Sequence, residues 1–304
     1  MASVRANLLI SFLEKLSYGQ AEEDPPNALE RARRTLRLLT VPQLPGTRTI
    51  ESGAPNVRAQ WHVGSQILPD LRILYFHGGG YCAGSTKTHR HFTSTLARLT
   101  GMPVLSVDYR LAPENPYPAQ IEDALRAWDW ACANGPDGAS PARKVFIAGD
   151  SAGGGLTLTL AQALRDRGGQ QPAGCVMLSP WLDVSVTSDS VRRLAHTDIL
   201  LTPAHGRRWS RYFRGDAMED PKDPRVSPLY GDFSGLPPLY FCVGGREMVL
   251  DDTLDAIERA REAGVETSLD RNEEMFHVWP LFGHLIPEGR DSTQKIAQWL
   301  NRRR

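Results

Sequence analysis

The chain has 304 residues, 41% of them hydrophobic and 23% charged, the balance of a globular protein long enough to bury a large core. Lys plus Arg and Asp plus Glu stand at 35 each, which excludes a broadly electrostatic binder of nucleic acid or anionic membrane. Cys82, Cys132, Cys175 and Cys242 are scattered without a C-x-x-C pair, so neither a zinc site nor a disulfide framework is expected, and free thiols of a cytoplasmic protein are.

In chain order, "MASVRANLLISFLEKL" comes first. Its apolar run Leu8–Ile10 is too short for a signal-peptide core, and Val4, Leu8, Leu9, Phe12, Leu13 and Leu16 are expected on one face of a helix. No stretch reaches the roughly 18 to 20 apolar residues that span a bilayer. Residues 1–45 read as Arg-rich helix ending in "TVPQLPG", the N-terminal part of a helical lid over a domain at 46–304. Alternating runs at 47–51 and 57–63 predict antiparallel edge strands. Mostly continuous apolar runs follow at 72–76, 103–107, 144–149, 174–178, 238–243 and 265–270. Helical stretches lie near 88–100, 119–133, 152–167, 252–263 and 291–302. This alternation predicts an α/β fold with a mostly parallel central sheet flanked by helices. Residues 184–230 interrupt the rhythm with a polar, partly helical insertion, placed where it could complete the lid. The terminal "NRRR" reads as a solvated helix end.

Chemistry concentrates in two glycine-rich turns. "KVFIAGDSAGGG" runs from an apolar strand through Gly149-Asp150-Ser151-Ala152-Gly153 into a helix. This is G-x-S-x-G in strand–turn–helix context, which projects a nucleophilic Ser151 over a helix N-terminus. "YFHGGGY" follows the third predicted strand. Consecutive glycines there let a substrate carbonyl touch the main chain, so the N–H groups of Gly78, Gly79 and Ala152 are the expected oxyanion donors. Cys82 lies close enough to this loop for thiol modification to inhibit.

A serine nucleophile needs a base and an orienting acid, in the chain order Ser, acid, His. His277 in "NEEMFHVWP" follows the last predicted strand and is favoured over His284 in "LFGHLIP". His77 is expected to brace its loop. For the acid, Glu247 lies on the turn beyond the strand at 238–243, with Asp183, Asp251 and Asp252 as rivals. Asp251 and Asp252 also suit an N-cap role.

Together these pieces resemble the hormone-sensitive-lipase-like, or bacterial family IV, esterases of the α/β-hydrolase superfamily. The carrying motifs are "HGGGY" (77–81), "DYRLAPENPYPA" (108–119), "GDSAGG", "SPWLD" (179–183), "DPRVSPLY" (223–230) and "FHVW" (276–279), across roughly residues 70 to 280. The resemblance implies an α/β-hydrolase fold with a lid from the N-terminal helices and the insertion. It also implies hydrolysis of short acyl esters by Ser151, Glu247 and His277, with no metal or organic cofactor. A glutamate stands at the acid position where the family most often has aspartate, and Glu274 stands where it usually has glycine. Asp108 and Arg110 read as structural.

Phe12, Tyr18, Trp209, Tyr212 and Phe213, with Tyr81 beside the glycines, are candidate pocket residues. Two other readings stand beside the esterase: a small-ligand receptor on the same scaffold, which the presence of His277 disfavours, and an amide hydrolase or deacetylase with the same triad. A small-molecule ester is the expected partner, and a homodimer is compatible with the analogy.

Overall fold

The computed structural model describes residues 2–16, 27–38, 40–216 and 218–304. Eight strands build one twisted sheet: β1 (Arg48–Glu51), β2 (Arg58–Val63), β3 (Leu71–Phe76), β4 (Val104–Asp108), β5 (Lys144–Asp150), β6 (Cys175–Leu178), β7 (Leu239–Gly244) and β8 (Thr267–Asn272). They lie in the order β1-β2-β4-β3-β5-β6-β7-β8. β1 and β2 pair antiparallel with each other and β2 with β4, and every other pairing is parallel. The alternating runs therefore became the antiparallel edge. The continuous runs β3, β5, β6 and β7 became the interior, nearly every residue buried, as strands covered on both faces must be.

Helices α1 (Val4–Leu16), α2 (Ala28–Leu38), α3 (Thr86–Thr100), α4 (Ala119–Ala133), α5 (Ala152–Arg167), α6 (Asp189–Arg193), α7 (Pro203–Arg214), α8 (Leu250–Glu262) and α9 (Pro287–Asn301) cover the sheet. One core layer lies between the sheet and α4, α5 and α8, and includes Phe76, Ile147, Leu158 and Trp128; the other lies beneath α3 and α9, and includes Tyr75, Phe146, Trp279 and Trp299. Each predicted strand and helix of the sheet domain is present within a few residues of its expected bounds. No described helix is long and apolar enough to cross a membrane.

α1 differs from expectation. Val4, Leu8 and Phe12 are 77%, 68% and 53% exposed, while Ala6, Ile10 and Leu13 are buried in the core layer with α9. The rotation follows from an anchor that periodicity does not register: Glu288 at the start of α9 accepts from Ser3 N at 2.6 Å and Ser3 Oγ at 3.0 Å. Phe12 thus faces outward and lines neither of the two cavities described below, and Tyr18 lies outside the described residues.

Candidate active site

The sheet's carboxyl edge brings the sequence-predicted residues to one point. β5 ends at Asp150, and the chain turns into α5 through Ser151, whose φ of 54° and ψ of −121° lie where non-glycine residues rarely sit. The turn is pinned by Ser151 N–H donating to Leu178 O of β6 at 2.8 Å. Gly153 must be glycine because a Cβ there would collide with Phe76 O. His277 Nε2 lies 2.9 Å from Ser151 Oγ, and His277 Nδ1 lies 2.8 Å from Glu247 Oε2. All three side chains are buried.

Electrostatics suit a proton relay. Burial works against a charged His277, but the hydrogen bond and charge of Glu247, with Asp198 and Asp150 beyond it, outweigh burial and raise its pKa above the ordinary imidazole value. Burial likewise raises Glu247, partly offset by His277 and by the Gly244 N–H. Glu247 Oε1 is held by that N–H and by Ser179 Oγ at 2.9 Å, and Ser179 Oγ in turn accepts Val278 N–H at 2.9 Å. One serine hydroxyl thus ties the acid to the loop that carries the histidine.

The rivals lie elsewhere. Asp251 faces Ser190 N and Arg193, Asp252 accepts Asp183 N–H, and Asp183 holds Ser185, Thr187 and Tyr230. His284 packs on the His91 ring with centroids 4.7 Å apart. His77 braces its own loop: its Nδ1 lies 2.8 Å from Gly78 O, its ring stacks on Tyr109 at 4.4 Å, and burial pushes its pKa down to about 4.

A family model of the α/β hydrolase fold matches residues 73–281. An acetyl-hydrolase of Streptomyces hygroscopicus is 40% identical over 229 residues, covering 75% of this chain and 74% of that protein. An esterase of Acinetobacter venetianus is 35% identical over 274 residues, covering 90% and 88%. The crystal structure of an esterase from the bacterial hormone-sensitive lipase family superposes with a TM-score of 0.88 at 35% identity, covering 100% of this chain and 99% of that one. The chain belongs to the hormone-sensitive-lipase-like esterases of the α/β-hydrolase fold.

One expectation about the oxyanion loop of this esterase needs correction. Gly78 N–H does not face the substrate: it donates to Asp150 Oδ1 at 3.0 Å. Asp150 Oδ1 also accepts Tyr75 OH at 2.6 Å, and Oδ2 pairs with the buried His89 at 3.3 Å. The first glycine is consumed in fastening the loop, a role invisible in a run of identical residues. Gly79 and Gly80 have φ values of 116° and 61°, and among the described residues no acceptor is found for their N–H groups or for that of Ala152. A side chain on Gly80 would strike the Trp209 ring.

The pocket expectations divide. Trp209 of α7 lines a small apolar cavity of about 30 Å³ together with Ser151, Gly80, Trp181, Val186 and Met248. Tyr81 and Phe213 instead stack on each other, centroids 3.8 Å apart, within the core. Tyr212 is half-buried and does not line that cavity. A larger cavity of about 400 Å³ lies between α2 and residues 83–85. Cys82 is fully buried and its thiol is pushed up to about 12 by burial, which disfavours the reactive thiolate. Sequence reasoning missed Ser179, Asp198, Gly80 and the His89–Asp150 pair. Of these, Gly80 stood in the glycine triplet, Ser179 in "SPWLD" and Asp150 in "GDSAGG", while His89 and Asp198 lay outside every motif.

Proposed function

We propose that this chain is a serine carboxylesterase acting on short acyl esters through an acyl-enzyme, with Ser151 as nucleophile, His277 as general base and acid, and Glu247 as the orienting acid. The observation that carries the reading is the unbroken hydrogen-bonded line from Ser151 Oγ through His277 to Glu247, at 2.9 and 2.8 Å. Ser151 Oγ attacks the ester carbonyl while its proton passes to His277 Nε2. The oxyanion that forms lies against the N–H groups of Gly79, Gly80 and Ala152, above the N-terminus of α5. The tetrahedral species collapses as His277 gives its proton to the leaving alcohol oxygen. Water then attacks the acyl-enzyme, losing its proton to His277, and releases the acid.

Acyl length follows from the cavity against Ser151. About 30 Å³ admits roughly two water-sized groups, so acetyl and propionyl chains fit this reading better than long ones. The N-terminal helices and residues 184–230 act as the lid, a division supported by Arg33 of α2 bonding to Cys82 O and by Trp209 of α7 resting on Gly80. Four free cysteines, three of them buried, suit the cytoplasm. The test is hydrolysis of p-nitrophenyl esters from acetate to dodecanoate by the native protein and Ser151→Ala. Activity that peaks at short chains and vanishes in the variant supports the reading, and a folded native protein that turns over none of them overturns it.

A further inference from the structure

The turn that carries Glu247 is held by two different parts of the chain. β7 ends at Gly244 and α8 begins at Leu250, so the acid sits in the short connection between them. Ahead of it, Gly245 N–H donates to Asn272 O at 2.9 Å and Arg246 N–H to Met275 O at 3.3 Å, at the end of β8 and on the loop that leads to His277. Behind it, the main chain of Met248 goes to the insertion. Its N–H donates to Asp198 Oδ2 at 2.9 Å, and its carbonyl accepts Ser190 Oγ at 2.6 Å.

Both insertion residues are themselves fixed. Ser190 is fully buried; its Oγ also accepts Asp251 N–H at 3.1 Å, while Ser190 N–H donates to Asp251 Oδ2 at 2.7 Å. α6 and α8 thus start against each other, each supplying a side-chain acceptor for a main-chain N–H of the other. Asp198 is set by its own turn, its Oδ1 accepting the N–H groups of Leu200 and Leu201 at 3.0 and 2.9 Å. A cover that merely closed over substrate could meet the sheet edge through apolar side chains that slide. This one grips a buried peptide unit at its N–H and at its carbonyl, and such groups are costly to leave unpaired.

We propose that Ser190 and Asp198 are positioning residues for the catalytic acid, so that the insertion fixes the half of the turn that follows Glu247. The proposal rests on the esterase reading above, in which Glu247 orients His277. Gly244 N–H and Ser179 Oγ hold one carboxylate oxygen, but the main chain from which the side chain reaches is set by the turn. A displacement of about 1 Å imposed from outside the reacting groups can cost about 10²-fold. The same segments wall the cavity at Ser151: Val191 and Leu201 come from the insertion, and Met248 and Val249 from the acid turn. One unit therefore faces the acyl chain and holds the acid.

The experiment is a double-mutant cycle of Ser190→Ala with Glu247→Gln, read as kcat on p-nitrophenyl acetate above the rate of Ser151→Ala. In the native background Ser190→Ala should lower kcat by about 10-fold and change KM by less than about 2-fold, because the acid is displaced and the pocket is kept. In the Glu247→Gln background the same substitution should cost about 2-fold or less, since the partner of His277 is already lost. Ser190 carries no charge, and Asp198 and Asp150, the other acids that act on His277, are untouched. A shift of the acid limb of kcat/KM to lower pH in Ser190→Ala therefore reports a slackened hold of Glu247 on His277. Ser190→Cys, which keeps the volume with a weaker donor, replaces the alanine variant in the cycle if that variant does not fold. Equal fold-losses in the two backgrounds, a loss confined to KM, or an unmoved acid limb would overturn the inference and leave the esterase reading standing. Native kcat in Glu247→Gln would remove the acid assignment together with the inference. A folded native protein that hydrolyses no ester would overturn the esterase reading as well.

Discussion

The carboxyl edge of the sheet and the helices that cover it are built differently. At the edge, Ser151 N–H reaches Leu178 O, Ser179 N–H reaches Cys242 O at 2.7 Å, Tyr109 OH reaches His77 O at 2.7 Å, and Gly78 N–H reaches Asp150. Neighbouring strand ends lock one another, and the groups concerned are buried. The cover is Arg-rich and half-exposed, and its contacts with the edge include Arg33 on the Cys82 carbonyl, Trp209 on Gly80, Phe213 on Tyr81, and Asp198 and Ser190 on the main chain of Met248. Such a division suits an enzyme whose chemistry must be rigid while its substrate range is adjustable. If it holds, single-atom changes at the edge cost orders of magnitude, and changes in the cover cost factors.

The largest effect is expected for Ser151→Ala, which removes the proposed nucleophile and should lower kcat on p-nitrophenyl acetate by about 10⁴-fold or more with the fold intact by circular dichroism. Glu247→Gln should follow at about 10³- to 10⁴-fold, because the amide no longer holds the productive tautomer of His277. Asp251→Asn, whose carboxylate faces Arg193 and Ser190, should stay within a few-fold; an equal loss in both variants would break the assignment of the acid. Gly80→Ala should cost about 10²- to 10³-fold in kcat, since the methyl group strikes Trp209 and displaces a proposed oxyanion donor.

A smaller effect concerns pH. In the proposed mechanism His277 must be neutral to accept the Ser151 proton, and its surroundings raise its pKa above the ordinary imidazole value of 6.5. The acid limb of kcat/KM should therefore have its midpoint above 6.5, with activity lost as pH falls through it. Asp198, buried and accepting Met248, Leu200 and Leu201 N–H groups, contributes part of that rise. Asp198→Asn removes the charge and keeps an acceptor, so the midpoint should move to lower pH. A pH–rate profile that does not move would break the link between this insertion residue and the histidine.

The same contrast explains what was legible in the sequence. Every strand of the sheet could be read because continuous apolar runs and glycine turns are local signals, and Ser151 and His277 stand at strand ends where motif and topology agree. Glu247 stayed open among four acids because reach to a histidine 30 residues away is a three-dimensional property. Ser179 stood in the "SPWLD" motif without its role being legible and Asp198 lay in no motif, since each acts by hydrogen bonding or charge across elements distant in sequence. The cover was least legible. Its helices carry apolar residues on more than one face, so periodicity alone grouped the exposed Val4, Leu8 and Phe12 of α1 with the buried Leu13, and Tyr81 and Phe213 read as pocket residues although each is buried against the other.

Arg33 offers the most sensitive test of how the cover is joined to the edge. Its Nε donates to Cys82 O at 2.8 Å and one Nη to Ala112 O at 3.0 Å, while both Nη atoms hold Glu114 at 2.6 and 2.7 Å. Cys82 and Ala112 flank the oxyanion loop and the turn that supports it, for Ala112 N–H donates to Tyr81 O at 2.9 Å. Arg33→Met keeps most of the side chain's apolar stem but removes every one of these donors. The part-exposed ion pair with Glu114 is worth little by itself. The bonds to two backbone carbonyls matter more, since without them α2 loses its hold on the loop. The expected outcome is a KM increase of about 3- to 10-fold, the equivalent of one or two charged hydrogen bonds weakened by solvent, with kcat changed less. Limited proteolysis should cut the N-terminal segment faster in the variant. A drop in kcat comparable to that of Gly80→Ala would mean that Arg33 shapes the oxyanion donors themselves, and the line between rigid edge and adjustable cover would have to be redrawn to place α2 on the catalytic side.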